Sequence, residues 1–538
     1  MEFSRDTRRR GLERAAGGLV DLVVVGGGIT GAGVAREAAL RGLSVVLLEK
    51  ADFASGTSSR SSKLIHGGIR YLEQGDIGLV REAARERAVL RNIAPHLAVP
   101  TPMMIPAGSK AGRVKLAAGL WSFARLASGR GDEQHRQLGA KATYDLEPLL
   151  KPGLVAGSVV MSEYATDDAR LTLETVRSAA AAGAIAANYA EVSSIVTDPE
   201  GLKVGALDVA TGESFVVRCR CLVNAAGPWF DRVRALHAGS EDDRVQLTRG
   251  IHVVVPHNRL PVRSIIILKA ADGRSTFVVP SGRYSYIGTT DTAYEGEPEE
   301  PGASAEDVAY LLASVAHSFE DAPEAADIIG TWSGVRPLLK QDGRAPSEIS
   351  RRDEIVVGPG PVVSVAGGKL TTFRRMAERV VRQVVDILRV ETAEVDSSTI
   401  ALVGGSLERQ RAARAEAPKL DDPELSARLW GKYGTEAASL VASISSRPEA
   451  AEPVGGLAEL TRAEVEYAVQ HEMALCVDDL VRRRCRVAHF DTARATAAAA
   501  EVSRLLGALL GWDDGHWKAA AERLRADLEP GLDTVRAA

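Results

Sequence analysis

The first hydrophobic pattern of the chain is a short apolar run that leads into glycines and then into a helical stretch. Residues 20–25 (VDLVVV) are apolar except for one aspartate, which is typical of a strand buried on both faces. A glycine-rich turn, 26–31 (GGGITG), and a helical stretch, 32–40, follow. A second apolar run, 43–48, ends at Glu49. The pattern predicts a strand–helix–strand unit with glycines at its first turn.

These glycines have the spacing of a dinucleotide-binding turn. Gly26 allows the tight turn, Gly28 lets a pyrophosphate approach the backbone, and Gly31 lets the helix pack close to the strand. The helix N-terminus offers free N–H groups to the phosphates. Glu49, at the tip of the second strand, is placed to accept hydrogen bonds from a ribose.

The segment after Glu49 favours FAD over NAD. Residues 52–63 (DFASGTSSRSSK) supply many small donors, which a flavin ribityl chain needs, and a flexible linker would not be expected to lead into the apolar and glycine-rich 64–72 (LIHGGIRYL). The cofactor-binding residues predicted from these segments are Gly26, Gly28, Ile29, Thr30, Gly31, Glu49, Lys50, Thr57, Ser58, Ser59, Ser61 and Ser62.

The rest of the pattern predicts mixed α/β structure and then a helical region. Four apolar runs, 251–256, 264–269, 275–280 and 284–289, are expected to form an antiparallel sheet over the flavin. The other predicted elements are helices at 79–97 and 167–184, strands at 185–196, 223–227 and 362–366, a less regular region at 98–150, helices from about 400 onward, and a loop at 446–458.

Composition narrows the class of protein. The chain has 538 residues, 45% hydrophobic and 25% charged, which is globular composition with room for three to four structural units. Its net charge of −5 argues against nucleic-acid binding. Four dispersed cysteines give neither a disulfide framework nor a metal site and fit a reducing cytoplasm. No apolar run is long enough to span a membrane, and the arginine-rich residues 1–19 are expected to form a solvated arm.

Several segments closely resemble the FAD-dependent, quinone-linked glycerol-3-phosphate dehydrogenases. They lie in family order between about residue 20 and residue 490. They are 52–97, 166–184, 223–231 (VNAAGPWFD), 249–256 (RGIHVVVP), 287–292 (IGTTDT), 333–338 (SGVRPL), 367–378 (GGKLTTFRRMAE) and 464–486. The resemblance extends to the wider group of D-amino-acid-oxidase-like flavoproteins.

The resemblance implies an α/β fold in which a Rossmann-like FAD-binding domain is interleaved with an antiparallel-sheet substrate domain, followed by an all-α C-terminal domain. The expected limits are 18–97, 155–235 and 345–390 for the FAD-binding domain, 98–154 and 236–344 for the substrate domain, and 400–538 for the helical domain.

The same resemblance assigns the chemistry to a few side chains. His66 matches the family's catalytic base, and a histidine pKa near neutrality suits that work. Arg70, Arg336 and Arg351 fall where the family's substrate-binding arginines occur, and arginine forks grip phosphate oxygens in two places. Lys369, at a helix start, is expected either to stabilise the reduced flavin or to touch substrate. The predicted catalytic residues are His66, Arg336 and Lys369, and the predicted substrate-binding residues are Arg70, Tyr71, Arg336, Arg351 and Lys369. The resemblance also implies that Ala226, Gly227, Lys369, Leu370 and Thr371 bind the cofactor.

The expected reaction is oxidation of glycerol 3-phosphate to dihydroxyacetone phosphate, with non-covalent FAD as the hydride acceptor and a membrane quinone receiving the electrons. An oxidase of the same substrate that uses O₂ stays open, although the long insertion common in such oxidases is not evident before 333–338. An amine or amino-acid oxidase of the same fold fits less well, because three arginines suit a phosphate better than a carboxylate. A homodimer is left open.

A quinone acceptor implies that the cytoplasmic protein binds the inner face of the cell membrane peripherally. The predicted membrane-binding helix is 112–126 (GRVKLAAGLWSFARL), which has no acidic residue. A core-packing helix is the alternative, and residues 1–19 are a second candidate surface. The apolar residues of the predicted helix are Val114, Leu116, Leu120, Trp121, Phe123 and Leu126, and the nearby cations are Lys110, Arg113, Lys115, Arg125 and Arg130.

Overall fold

The structure, a computed structural model, describes residues 1–66, 77–126, 135–238, 243–299, 301–340 and 354–536. Within these ranges the helices are α1 Arg5–Ala16, α2 Ile29–Leu40, α3 Ile77–Ile93, α4 Lys110–Leu126, α5 Ala140–Leu146, α6 Asp168–Ala181, α7 Phe230–Ala238, α8 Ala305–Ser318, α9 Phe373–Leu388, α10 Leu407–Glu416, α11 Pro423–Tyr433, α12 Ala437–Ser446, α13 Arg462–His471, α14 Val487–Phe490, α15 Thr492–Leu510 and α16 Asp514–Arg536.

The strands fall into two large sheets and one ribbon. In chain order they are β1 Leu19–Val25, β2 Val45–Leu48, β3 Leu64–Ile65, β4 Val99–Ala107, β5 Arg136–Gly139, β6 Gly157–Ala165, β7 Ile185–Ala187, β8 Ala190–Asp198, β9 Gly201–Asp208, β10 Glu213–Asn224, β11 Val245–Pro256, β12 Ile265–Lys269, β13 Ser275–Ser281, β14 Tyr284–Gly288, β15 Thr292–Ala293, β16 Gly330–Leu339, β17 Glu354–Val357, β18 Val362–Ala366, β19 Pro453–Val454 and β20 Leu457–Thr461.

The first sheet has the order β17-β18-β10-β1-β2-β7, and its core from β18 to β7 is parallel. The central strands β1 and β2 end in fully buried residues, as expected of strands covered on both faces. Helices α2, α6 and α9 pack on one face, whereas α1, α7 and the strands β8 and β9 cover the other. This sheet confirms the predicted Rossmann-like unit.

The second sheet has the order β15-β11-β14-β13-β12-β4-β6-β3, with β16 added beside β11 and β5 beside β6. Strand β11 shows how its two faces differ. Ile251, Val253 and Val255 pack toward α8. Gly250 and His252 lie on the opposite face of the strand, where they line a cavity between the two sheets. This period of two confirms the predicted antiparallel sheet.

The N-terminal segment is not a solvated arm, and that expectation is wrong. Ser4 caps α1 through a capping box, and Leu12 and Ala15 are buried against the first sheet. Arg8 is also buried, where its guanidinium binds the carboxylate of Asp208 at 2.8 Å. The buried positions 8, 11, 12 and 15 have helical spacing, but a buried arginine conceals that pattern in the sequence.

Two other regions are more regular than expected. Residues 98–150 contain β4, α4, β5 and α5 rather than irregular structure. Residues 446–458, expected to be a loop, begin the β19–β20 ribbon, whose turn places Gly455 and Gly456 at φ of +60° and +73°. In both places the strands are short or lie beside turn residues, so their pattern is weak in the sequence.

The expected domain limits differ from the sheet pairing at β6, and also at β3, which pairs with β6 in the second sheet. Strand β6 lies within the range 155–235 assigned to the FAD-binding domain, yet it pairs with β4 in the second sheet along its whole length. We therefore propose that β6 belongs to the substrate domain. The helical region after residue 400 holds α10 to α16, as predicted. In the described ranges no helix combines the length and apolar character required to cross a membrane.

Candidate active site

A cavity of about 730 Å³ lies between the two sheets. One wall is formed by the β1–α2 turn and the end of β2, and the other by β11, β16 and the turn that begins α9. The cavity therefore joins the predicted dinucleotide turn to Arg336 and Lys369, two of the predicted substrate residues, in one continuous space.

The β1–α2 turn requires glycine at two positions. Gly26 has φ of +107°, in the region that favours glycine. A Cβ atom on Gly31 would overlap the Gly26 carbonyl oxygen, so α2 could not begin this close to β1 with any larger residue. Gly28 caps α2 without a side chain and lines the cavity, which leaves the helix N-terminus facing the space where a phosphate would lie.

Glu49 stands in the cavity wall at the end of β2. Its carboxylate accepts hydrogen bonds from the amides of Gly27, at 2.6 Å, and Ala51, at 2.9 Å. Burial raises the pKa of Glu49, while these two amide hydrogen bonds act in the opposite direction. The amides thereby hold the carboxylate in a fixed orientation at the cavity edge.

The serine-rich loop packs against both sheets. The hydroxyl of Ser58 accepts a hydrogen bond from the Ile29 amide at 2.9 Å, and Thr57 donates to the carbonyl oxygen of Val335 in β16 at 2.6 Å. A buried ion pair between Lys63 and Asp168, at 2.9 Å, fixes the end of the loop to α6. The loop is thus an anchored wall of the cavity.

Arg336 projects from β16 into the cavity with its guanidinium already oriented. It donates to Thr289 Oγ1 at 3.1 Å and to the Thr290 carbonyl and Asp291 Oδ1 at 3.2 Å. A Cβ atom on Gly250, in the neighbouring strand, would overlap the Arg336 guanidinium. Glycine at 250 therefore leaves the space that this side chain occupies.

His66 follows β3, and Lys369 lies in the turn that leads into α9. Both line the cavity, and Thr371 donates a hydrogen bond to the His66 carbonyl oxygen at 3.3 Å. The turn into this helix passes through Gly367 and Gly368, with φ of +73° and +86°. Two segments about 300 residues apart in sequence are thereby joined at the cavity.

His252 is a cavity residue that the sequence reasoning missed. It is 1% exposed, stacks on Trp332 with ring centroids 4.6 Å apart, and shares a hydrogen bond of 2.9 Å with Ser62 Oγ. Burial, and then the positive charges of Arg336 and Lys63, lower the pKa of His252 well below its usual value, so its ring is neutral at pH 7. The sequence feature that could have identified His252 is its position two residues after Gly250, on the same face of an alternating strand.

Most predicted residues line this cavity, though their individual roles stay predictions. Gly31 and Ser59 are buried behind the wall rather than in it. Arg70, Tyr71 and Arg351 lie outside the described residues. The predicted residues in the wall are Gly26, Gly28, Ile29, Thr30, Glu49, Lys50, Thr57, Ser58, Ser61, Ser62, His66, Ala226, Gly227, Arg336, Lys369, Leu370 and Thr371.

The cavity wall fits an FAD molecule. A glycine-capped helix N-terminus suits the pyrophosphate, and a carboxylate at the end of β2 suits the adenosine ribose. The space continues from there to the second sheet, where a flavin ring would lie between His252 and the start of α9.

Comparisons with known proteins agree with this arrangement. Residues 21–374 match the family described as "FAD dependent oxidoreductase", and residues 395–516 match the "C-terminal domain of alpha-glycerophosphate oxidase". The aerobic glycerol-3-phosphate dehydrogenase of Staphylococcus aureus is 36% identical over 493 residues, covering 88% of this chain and 87% of that protein.

Solved structures show the same relationship. The glycerol-3-phosphate dehydrogenase of Bacillus halodurans, solved with FAD, has a TM-score of 0.80 and 31% identity, covering 99% of this chain and 98% of that one. The L-α-glycerophosphate oxidase of Mycoplasma pneumoniae has a TM-score of 0.54 at 21% identity, covering 71% of this chain and 98% of that one. At that identity the oxidase supports the fold alone.

Proposed function

The chain belongs to the FAD-dependent oxidoreductases, and from that membership we propose that it passes electrons from glycerol 3-phosphate to a membrane quinone. The enzyme is of the glycerol-3-phosphate dehydrogenase type, with FAD as its cofactor. The observation that carries the proposal is the single cavity that joins the glycine turn before α2 to the guanidinium of Arg336.

The proposed substrate site lies at the Arg336 end of the cavity. The guanidinium is fixed by Thr289, Thr290 and Asp291, so a phosphate would meet a donor fork that is already in place. We assign His66 as the group that takes the hydroxyl proton, since it borders the same space. FAD, when bound, supplies the acceptor for the hydride that leaves the carbinol carbon.

Two residues are proposed to shape the electrostatics around the flavin. Lys369 stands at the start of the turn into α9, where a cation and a helix N-terminus would both favour negative charge on a reduced flavin. His252 stays neutral and hydrogen-bonded to Ser62, so it adds no charge at this face. Lys369 and Arg336 are therefore proposed to contribute positive potential there, whereas His252 is not.

Apolar side chains in the cavity wall support a quinone as the acceptor. They are Met103, Ile105, Leu116, Ile267 and Phe277, and Leu116 belongs to α4. Such a lining suits the ring and isoprenoid tail of a quinone.

The outer face of α4 supports docking of that helix on a membrane. Val114 and Trp121 are 59% and 53% exposed, and Lys110 and Lys115 are exposed near them. Leu120 is buried and Leu116 faces the cavity, so these two predicted contact residues do not belong to the outer face. Arg125, Phe123 and Leu126 have no described side chains, and Arg130 lies outside the described residues.

Anaerobic reduction followed by controlled reoxidation tests the proposal. Glycerol 3-phosphate added without oxygen should bleach the flavin absorbance, whereas glycerol at the same concentration should not. The reduced enzyme should then be reoxidised faster by a short-chain quinone than by O₂. Absence of bleaching would contradict the substrate, and faster reoxidation by O₂ would replace the quinone with the oxidase alternative.

A further inference from the structure

A cluster of charged side chains lines the Glu49 end of the cavity. That end is marked by Glu49, by the β8 residues 190–193, and by Val233 and Leu236 of α7. In a dinucleotide-binding fold the acid that ends β2 binds the adenosine ribose, so this is the adenosine end of the FAD site. The inference below rests on that placement of the cofactor.

Glu299 is the centre of the cluster. One carboxylate oxygen accepts hydrogen bonds from Lys50 Nζ at 2.6 Å and from the Trp229 indole N–H at 2.5 Å. Arg232 approaches the same oxygen at 3.3 Å. Lys50 Nζ also lies 4.0 Å from the centre of the Trp229 ring, which is a cation–π contact.

The partners of Glu299 come from segments that are distant in the chain. Lys50 follows β2 and Trp229 precedes α7. Glu299 lies in the connection between β15, a strand of the second sheet, and helix α8. All three side chains line the cavity, and Trp229 also contacts the phosphate-side loop, since a Cβ atom on Gly56 would lie 3.0 Å from its ring. The carboxylate therefore ties the substrate domain across the rim of the dinucleotide site.

The cluster differs from an ordinary surface ion pair in its connectivity. An exposed pair of one lysine and one glutamate usually contributes little, because water and salt screen it. Here one oxygen is shared by an ammonium and an indole that are themselves in contact. Although partial burial raises the pKa of Glu299, hydrogen bonds from Lys50 and Trp229 hold it below its usual value, so the carboxylate is ionised at pH 7.

We propose that Glu299 is a positioning residue that holds Lys50 and Trp229 across the adenosine end of the cavity and thereby slows the release of FAD. It touches neither substrate nor the reacting part of the flavin. Its contribution should appear in cofactor retention and in the salt dependence of that retention, because screening weakens the ion pair at the rim.

The test is the rate of FAD release from the holoenzyme, followed by the rise in free-flavin fluorescence after dilution. Glu299→Gln should release FAD about five- to tenfold faster than wild type at low salt, the range for loss of one charge-assisted contact. Adding 0.5 M NaCl should speed release from wild type and leave the variant nearly unchanged.

Lys50→Met should act like Glu299→Gln, and the double variant should be no faster than either single variant. Lys50→Arg, which keeps the charge, should retain FAD nearly as well as wild type.

Glu297→Gln is the matched control. Glu297 lies two residues away in the same connection, is more exposed, and forms an ion pair with Arg232. Its substitution makes the same change in charge without touching Lys50 or Trp229, so FAD release should stay at the wild-type rate. Wild-type release from Glu299→Gln, or equal acceleration by Glu297→Gln, would overturn the proposal. Bleaching of the bound flavin by glycerol 3-phosphate in the same preparations reports the proposed function separately.

Discussion

At the scale of single residues, the cavity contains side chains whose orientation is set before any substrate enters. Arg336 is the main example, because three oxygen atoms of the loop 289–291 accept hydrogen bonds from its guanidinium and Gly250 leaves it room. A preoriented fork loses less side-chain entropy when it binds an anion than a free lysine or arginine does. Substitution here should therefore affect phosphate recognition more than folding.

We expect Arg336→Ala to lower kcat/KM for glycerol 3-phosphate at least tenfold, since a charge-assisted contact contributes roughly 1.5 to 3 kcal/mol. Arg336→Lys should also be impaired, because an ammonium cannot replace the two-pronged contact. Steady-state kinetics with a quinone analogue measure both effects. Arg274→Ala is the control, since Arg274 lines the cavity but is half-exposed and paired with Asp272. Equal losses in the Arg336 and Arg274 variants would contradict the assignment of the phosphate to Arg336.

The sequence could identify some of these residues but not others. Gly26, Gly28 and Glu49 follow a local spacing that physical reasoning can interpret directly. Arg336 and His66 required a family resemblance, because a single arginine or histidine has no local signature. His252 and Asp291 were missed. Their place in the cavity wall depends on which face of β11, and which turn after β14, lies toward the cavity.

At the scale of elements, the two sides of α4 have different surroundings. Its inward residues Ala117 and Leu120 pack on the second sheet, and Leu116 lines the cavity. Val114 and Trp121 are seven residues apart, which places them on one outward face two turns apart. The imperfect amphipathic pattern of 112–126 follows from this arrangement, because one side of the helix packs against the protein whereas Val114 and Trp121 are exposed on the other.

Liposome co-sedimentation tests the outward face of α4. Wild-type protein should bind vesicles containing anionic lipid at low salt, and Val114→Ser with Trp121→Ser should bind clearly less, because about two buried apolar side chains are lost from the lipid contact. Leu407→Ser with Leu509→Ser is a matched control, since both leucines are exposed on helices of the C-terminal domain. Equal recovery of the two double variants would show that the membrane contact, if any, lies elsewhere on the protein.

Element existence was easier to predict than element boundaries or pairing. The alternating runs of the second sheet follow a period of two, so β11 to β14 were found from hydrophobicity alone. Helix α1 was missed because one of its inward positions is Arg8, whose burial depends on Asp208 two hundred residues later. Likewise, nothing local shows that β6 pairs with β4 rather than with the first sheet.

At the scale of the whole molecule, buried ion pairs join the C-terminal helical domain to the FAD-binding domain. Asp52, three residues after Glu49, accepts hydrogen bonds from Arg483 at 2.5 Å and from Arg484 at 2.6 Å. Arg170 of α6 binds Glu472 in the same interface. Although burial raises the pKa of Asp52, the two arginines lower it below its usual value. The loop that follows Glu49 is therefore fixed by charges more than 400 residues away, which no local pattern could reveal.

His96 makes this same interface sensitive to acid. Its ring is buried beside Gly404, and neither ring nitrogen has a hydrogen-bond partner within the described ranges. Burial, and then the nearby positive charge of Arg170, lower the pKa of His96 to about 4. In the unfolded chain this histidine should titrate near pH 6.5. Between pH 6.5 and pH 4 His96 binds a proton in the unfolded state but not in the folded state. The free energy of unfolding therefore falls as pH decreases toward 4.

The predicted size of this effect is about 2 kcal/mol at pH 5 relative to pH 7.5, from the separation of the two pKa values. His96→Phe fills the same space without a titratable group, so its free energy of unfolding should fall less than that of wild type between these pH values. Urea unfolding of the holoenzyme at pH 7.5 and pH 5 measures the difference.

His317→Gln, at an exposed position of α8, is the control and should lose as much stability between these pH values as wild type. His252 and His489 also have pKa values lowered by burial, but they are present in all three proteins and cancel in the comparison. Parallel losses in wild type and His96→Phe would show that the acid sensitivity of the protein arises away from this interface.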